Sequence, residues 1–217
     1  MQYKVLDACG FELATREELI SAARHFYNQG WMLGTAGNLS GRLPDGSFWV
    51  TASGCPKGEL GLDDFVLMYP DGKVYQPSSS SKPSAETSIH QIIYQLFPEA
   101  EACYHVHSVA ANLVSNLAQC DRLSLPPLEM LKGLGIWEEN PECEMPLFEN
   151  YLRVSDIADK IGKRFESDKP KIPALLIRNH GVTVWGSSLQ AARNYIELTE
   201  YIFRYMVAAR QVLNSEF

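Results

Sequence analysis

Ala102-Cys103-Tyr104-His105-Val106-His107 reads as a β-strand that ends in two histidines. Side chains two apart in a strand share a face, so His105 and His107 project together, roughly 6.6 Å apart along the backbone. Tyr104 and Val106 then turn to the core. A second apolar stretch, Ala174 to Arg178, enters Asn179-His180-Gly181 and leaves through Val182-Thr183-Val184-Trp185. This is a tight strand–turn–strand with a third histidine at a sheet edge, where functional side chains collect. An isolated His-x-His is often ordinary strand sequence, and a lone histidine in a turn is often only a turn residue. Two such features at the ends of apolar strands point instead to one ion held by His105, His107 and His180. Three imidazoles, each reaching about 2.0–2.1 Å, with a fourth position open, form the donor set of a catalytic zinc, Zn2+, one per chain. Iron, cobalt, nickel and manganese accept the same donors. His25 and His90 fall within helical patterns and read as structural or solvated.

Working outward, the spacing of Thr15 and Glu18 predicts a capping box that starts a first helix, with Leu19, Ala22, Ala23 and Phe26 as its apolar stripe and Gly30 as its stop. Strands are expected at Leu39–Leu43 and Ser47–Thr51 around the turn Pro44-Asp45-Gly46, and at Phe65–Tyr69 and Val74–Gln76 around Pro70-Asp71-Gly72. The serine run Ser78–Ser81 reads as a loop. Ser84 is expected to cap a helix carrying Ile89, Ile92, Ile93 and Leu96. Ser108 should cap one running to about Leu117, Ser155 one to Phe165, and Ser188 a long final helix to about Val212. Gly133–Phe148 is rich in Gly, Pro and acidic residues and reads as irregular. Without a repeat or a composition break, residues 1–217 read as a single α/β domain whose sheet is mixed or largely antiparallel and covered by helices.

The chain has 217 residues, 46% hydrophobic and 21% charged, a globular composition. Its formal net charge of -7 argues against general binding to nucleic acid or an anionic membrane, but local donors can still hold a small phosphate. Five cysteines with no CxxC pair fit a reducing compartment better than a disulfide framework. Met1-Gln2-Tyr3-Lys4 does not open a signal peptide, and no apolar run approaches a membrane span. A cytoplasmic location is expected.

Five motifs occur in the order in which the class II aldolase/adducin-head family carries them: Gly37-Asn38-Leu39-Ser40, Thr51-Ala52-Ser53-Gly54, Lys82-Pro83-Ser84-Ala85-Glu86-Thr87, His105-Val106-His107-Ser108 and Asn179-His180-Gly181. The chain resembles that family from about Thr15 to Arg210. The resemblance implies a three-layer α/β/α fold around a central mixed, largely antiparallel sheet. It also implies a homotetramer with sites near subunit contacts, a small-molecule sugar-phosphate substrate, and a phosphate cradle of Asn38, Ser53, Gly54 and Ser84. A serine at a helix N-terminus and a glycine that admits a ligand close to backbone are chemically suited to that role.

Glu86 matches the glutamate that serves the family's aldolases as acid/base. Its residue-level reading is a favourable charge at a helix start. Pro126-Pro127-Leu128-Glu129-Met130-Leu131-Lys132-Gly133 looks like the segment of the family's dehydratases, whose catalytic acid/base then maps onto Glu129. Ala85, where the aldolases often carry a second serine, also leans towards the dehydratases. An aldolase or ribulose-phosphate 4-epimerase is the rival activity. A metal-free binding module like the adducin head is a further rival, although such a module has no need to retain the three histidines.

Overall fold

The computed structural model describes residues 8–75 and 81–214. The expected loop at Ser78–Ser80, the strand end at Gln76 and the N-terminal Met1–Lys4 lie outside the described residues. The elements run α1 (Ala8–Asn28), β1 (Asn38–Arg42), β2 (Phe48–Thr51), β3 (Phe65–Met68), α2 (Thr87–Leu96), β4 (Ala102–Val106), α3 (Val109–Ser115), β5 (Arg122–Leu125), a 3-10 turn (Glu129–Leu134), β6 (Cys143–Phe148), α4 (Val154–Ser167), β7 (Ala174–Ile177), β8 (Gly181–Gly186) and α5 (Leu189–Asn214).

The eight strands form one sheet in the order β3-β2-β1-β4-β8-β7-β6-β5. Every neighbouring pair is antiparallel except β6–β7. Alternation along β4 sorts the two faces. Ala102, Tyr104 and Val106 join a core with Leu19 and Phe26 of α1 and Ile196 and Phe203 of α5. Cys103 joins the opposite core with Ile89 and Ile93 of α2 and Ile161 and Phe165 of α4. The expected three-layer α/β/α architecture is therefore present. His105, two residues from Cys103, projects to the α2 side.

Several expected boundaries move. Thr15 does not start α1, which begins at Ala8. Thr15 is buried within the helix, and its hydroxyl donates to the Phe11 carbonyl at 2.9 Å, so it needs no capping role. Ser84 is not the cap of α2. The helix starts at Thr87 with Glu86 flanking it and no side-chain cap, and Ser84 sits in the preceding turn, its carbonyl accepting from the Thr87 hydroxyl at 2.7 Å. Ser108 and Ser188 do cap, accepting from the Ala111 and Ala191 N–H groups at 2.9 and 3.0 Å. Ser155 lies inside α4, one residue past its start. Val74 makes only an isolated bridge to Met68. The stretch read as irregular contains β6, whose Pro146 and Glu144 obscure a strand from propensity alone.

Candidate metal centre and phosphate cradle

The sheet delivers the three histidines to one point. β4 lies between β1 and β8, and His105 is opposite Asn38 on one side and Thr183 on the other. His107 is just past the strand end, where its N–H donates to the Trp31 carbonyl at 2.8 Å. His180 comes from the β7–β8 turn. Asn179 there has φ +50°, a left-handed conformation asparagine tolerates. It is held by its N–H to Ser115 Oγ (3.0 Å) and by Asn116 Nδ2 donating to its Oδ1 (2.6 Å). A Cβ on Gly181 would stand 2.1 Å from the Val106 carbonyl oxygen, so only glycine lets this turn close against β4.

His105 Nε2 and His107 Nε2 are 2.8 Å apart, and His180 Nε2 is 2.7 Å from Glu86 Oε1. The same carboxylate oxygen is 3.6 Å from His105 Nε2 and 3.5 Å from His107 Nε2. The three rings are close to mutually perpendicular, with centroids 4.6–5.0 Å apart. One donor atom from each of Glu86, His105, His107 and His180 lies within 4.8 Å of all the others, so these residues could hold one metal ion. The side chains are 0%, 26%, 12% and 12% exposed for His105, His107, His180 and Glu86. His105 Nδ1 is 2.8 Å from Thr183 Oγ1, and a proton on Nδ1 bonded to that hydroxyl leaves Nε2 free as a donor to metal. Burial pushes the His105 pKa well below its ordinary value, keeping the ring neutral as a ligand must be. Burial raises the Glu86 pKa, but the imidazole groups that face the carboxylate, including the hydrogen bonds from His107 and His180, outweigh it and lower it below the usual carboxylate range. Three neutral imidazoles and a carboxylate suit a divalent ion such as zinc.

The four residues expected to hold a phosphate, Asn38, Ser53, Gly54 and Ser84, lie on neighbouring segments. Asn38 is fully buried, and its Nδ2 donates to Ser84 Oγ at 2.7 Å. The Ser53 N–H donates to the Lys82 carbonyl at 2.8 Å, and Ala52 bridges Pro83, so the Thr51–Gly54 turn lies against the segment carrying Ser84. Gly54 has φ +81° and open space where a Cβ would be. His90, read as structural or solvated, is fully buried and supports Asn38. Its Nε2 is 2.7 Å from Asn38 Oδ1, its Nδ1 is 2.7 Å from Ser40 Oγ, and Ser40 Oγ is 2.7 Å from the Tyr94 hydroxyl. Burial lowers the His90 pKa to about 4, so the neutral ring donates to Asn38 Oδ1 and turns the amide nitrogen towards Ser84. Nothing in the residue pattern distinguished this helical histidine. His25 is a half-exposed partner of Glu197 at 3.0 Å.

Glu129 is not brought to this point within one chain. It opens the 3-10 turn, its side chain is 79% exposed, and its carboxylate pairs with Lys132 Nζ at 2.9 Å. That turn packs against α5, where a Cβ on Gly133 would meet the Leu198 side chain, on the face of the sheet away from α2 and Glu86. β5, which leads into it, is four places from β4 in the sheet, roughly 19 Å at ordinary strand spacing.

Central strand ends that gather three histidines and a glutamate beside a serine- and asparagine-lined turn define the class. The chain belongs to the class II aldolase and adducin N-terminal domain family, whose profile matches residues 17–207. Among its relatives, the methylthioribulose-1-phosphate dehydratase of Microcystis aeruginosa is 63% identical over 91% of this chain and 97% of that one. The methylthioribulose-1-phosphate dehydratase of Leptospira biflexa is 42% identical over 92% and 99%. The crystal structure of YgbL from Escherichia coli superposes with a TM-score of 0.78 at 29% identity, covering 91% of this chain and 90% of that chain.

Proposed function

We propose that this chain, acting as a single domain, dehydrates 5-methylthioribulose 1-phosphate to 2,3-diketo-5-methylthiopentyl 1-phosphate in methionine salvage, with one zinc ion per chain. The substrate is carried over from the Microcystis and Leptospira relatives. The observation that supports the chemistry is the adjacency of donor cluster and cradle, for Asn38 stands opposite His105 in the β1–β4 ladder. A ketose phosphate whose phosphate rests on Asn38, Ser53, Gly54 and Ser84 has its carbonyl end directed at the histidines. A divalent ion bound there supplies Lewis acidity to a carbonyl and its neighbouring hydroxyl.

The protein's own work is to orient the substrate and to move a proton. The C3 proton must leave beside the C2 carbonyl, and the C4 hydroxyl must depart as water. A carboxylate that takes the first proton can return it to the departing hydroxyl, and the resulting enol becomes the 2,3-diketone. In this reading Glu129 is that acid/base, and it reaches the site from a second copy of the chain. In the homotetramer that the family resemblance implies, each site is completed between subunits. Glu86 stands within the donor cluster, ionised, as a further ligand or a second proton acceptor beside the substrate. A cytoplasmic location fits this role, and among the described residues no helix is long and apolar enough to cross a membrane.

The purified protein assayed with 5-methylthioribulose 1-phosphate, fuculose 1-phosphate and ribulose 5-phosphate tests the proposal. Water loss from the first, with no cleavage of the second and no epimerisation of the third, is the expected result. Cleavage or epimerisation in its place would move the chain to the aldolases or epimerases.

A further inference from the structure

Lys57 is 2% exposed, although lysine is rarely buried without a partner. Its Nζ donates to the carbonyls of Thr35 at 3.0 Å and Cys55 at 2.9 Å, and its backbone N–H donates to the Gly34 carbonyl at 2.9 Å. An ammonium has three donors, and these bonds use two. Among the described residues no carboxylate lies at ion-pair distance from it, and Glu86 and Asp64 act on it only as more distant charges. A buried cation without a counter-ion is costly, and a methionine would fill the same volume without that cost.

The location gives the charge a use. Thr35 belongs to the segment that leads into Asn38, and Cys55 follows Ser53 and Gly54 directly. The ammonium therefore ties together the two segments that supply three of the four cradle residues. The cradle's own groups are neutral. Lys82, the other lysine on these segments, has an exposed side chain whose charge is solvated and screened. A neutral cradle holds a phosphate dianion weakly, whereas a desolvated ammonium beside it acts with little screening.

We propose that Lys57 is a phosphate-site positioning residue, whose buried ammonium clamps the Gly34–Asn38 and Ser53–Cys55 segments together and supplies the fixed positive charge that the phosphate of a sugar phosphate neutralises. This rests on the phosphate-cradle reading above. Two variants separate charge from shape. Lys57→Met keeps the volume, and Lys57→Gln keeps a hydrogen-bond donor for the loop carbonyls while removing the charge. The probe is inorganic phosphate, titrated calorimetrically into the zinc-loaded full chain, with Ser84→Ala marking the cradle.

Both Lys57 variants keep the fold and the metal content, lose about ten- to hundredfold in phosphate affinity, and raise KM for the sugar phosphate by a similar factor with kcat changed far less. Wild-type phosphate affinity in Lys57→Gln, with Ser84→Ala weakened, overturns the role of Lys57 and leaves the cradle standing. No phosphate binding by the wild type, or binding indifferent to Ser84→Ala, overturns the cradle and the Lys57 assignment together.

Discussion

Chains carrying Glu129→Gln and chains carrying His105→Ala, co-expressed under two different tags and purified as mixed oligomers, separate an acid/base acting within its own chain from one acting across a subunit contact. Each variant alone is expected to be nearly inactive. Glu129→Gln removes a positioned acid/base worth about 10²–10⁴ in rate, and His105→Ala removes a fully buried donor from the cluster. Glu129 lies on a turn packed against α5, on the face of the sheet away from Glu86, so in the proposed reading a complete site needs an intact cluster on one chain and an intact Glu129 on its neighbour. In a random one-to-one mixture each condition holds for half of the chains, so about one quarter of the sites are complete. Turnover of 5-methylthioribulose 1-phosphate by the doubly tagged fraction should therefore recover to about a quarter of the wild-type rate per chain. No recovery above the parental variants would refute the shared site. Glu86→Gln, prepared in parallel, tests the competing base: if it is dead while Glu129→Gln dehydrates at close to the wild-type rate, the proton is moved by the residue within the cluster.

Thr183→Val removes the hydroxyl that orients His105 through Nδ1; zinc affinity in a chelator competition should fall about 10- to 100-fold with the fold intact. Gly181→Ala places a Cβ 2.1 Å from the Val106 carbonyl oxygen, and denaturant unfolding should report a loss of about 3 kcal/mol or more together with lost metal. His90 binds its proton less readily when folded (about 4) than when unfolded (6.5). The unfolded chain therefore holds more protons between these values, and the contribution of His90 to stability rises with pH through that window and is constant above it. Urea titrations from pH 4 to pH 7 should be measurably less steep in His90→Gln than in the wild type.

The histidine cluster was legible in the chain because its determinants are local. Strand alternation aligns His105 with His107, and an Asn-His-Gly turn between two apolar strands can place His180 only at the end of those strands. The apolar stretches gave a single α/β domain with a helix-covered sheet, and the three-layer architecture came from the family resemblance. What was not legible depends on contacts between distant segments. Residue by residue, Glu86 is a helix-start charge, and its place among the histidines arises only when α2 packs beside β4. His90 could not be told from a core histidine until its 2.7 Å contact with Asn38 was known. The Thr15–Glu18 spacing imitates a capping box, yet Thr15 satisfies its hydroxyl on the preceding turn of a longer helix. Nor does chain order reveal that the Glu129 turn lies behind the sheet, because that depends on where β5 joins it.

The most direct test of the account is a crystal structure of the zinc-loaded protein with inorganic phosphate, using anomalous scattering to locate the metal. The account predicts one zinc per chain about 2.0–2.1 Å from a ring nitrogen of each of His105, His107 and His180. It also predicts a phosphate on Asn38, Ser53, Gly54 and Ser84 and a neighbouring chain's Glu129 facing the metal. Zinc bound away from the three histidines, or phosphate bound away from the Asn38–Ser84 pair, would contradict it.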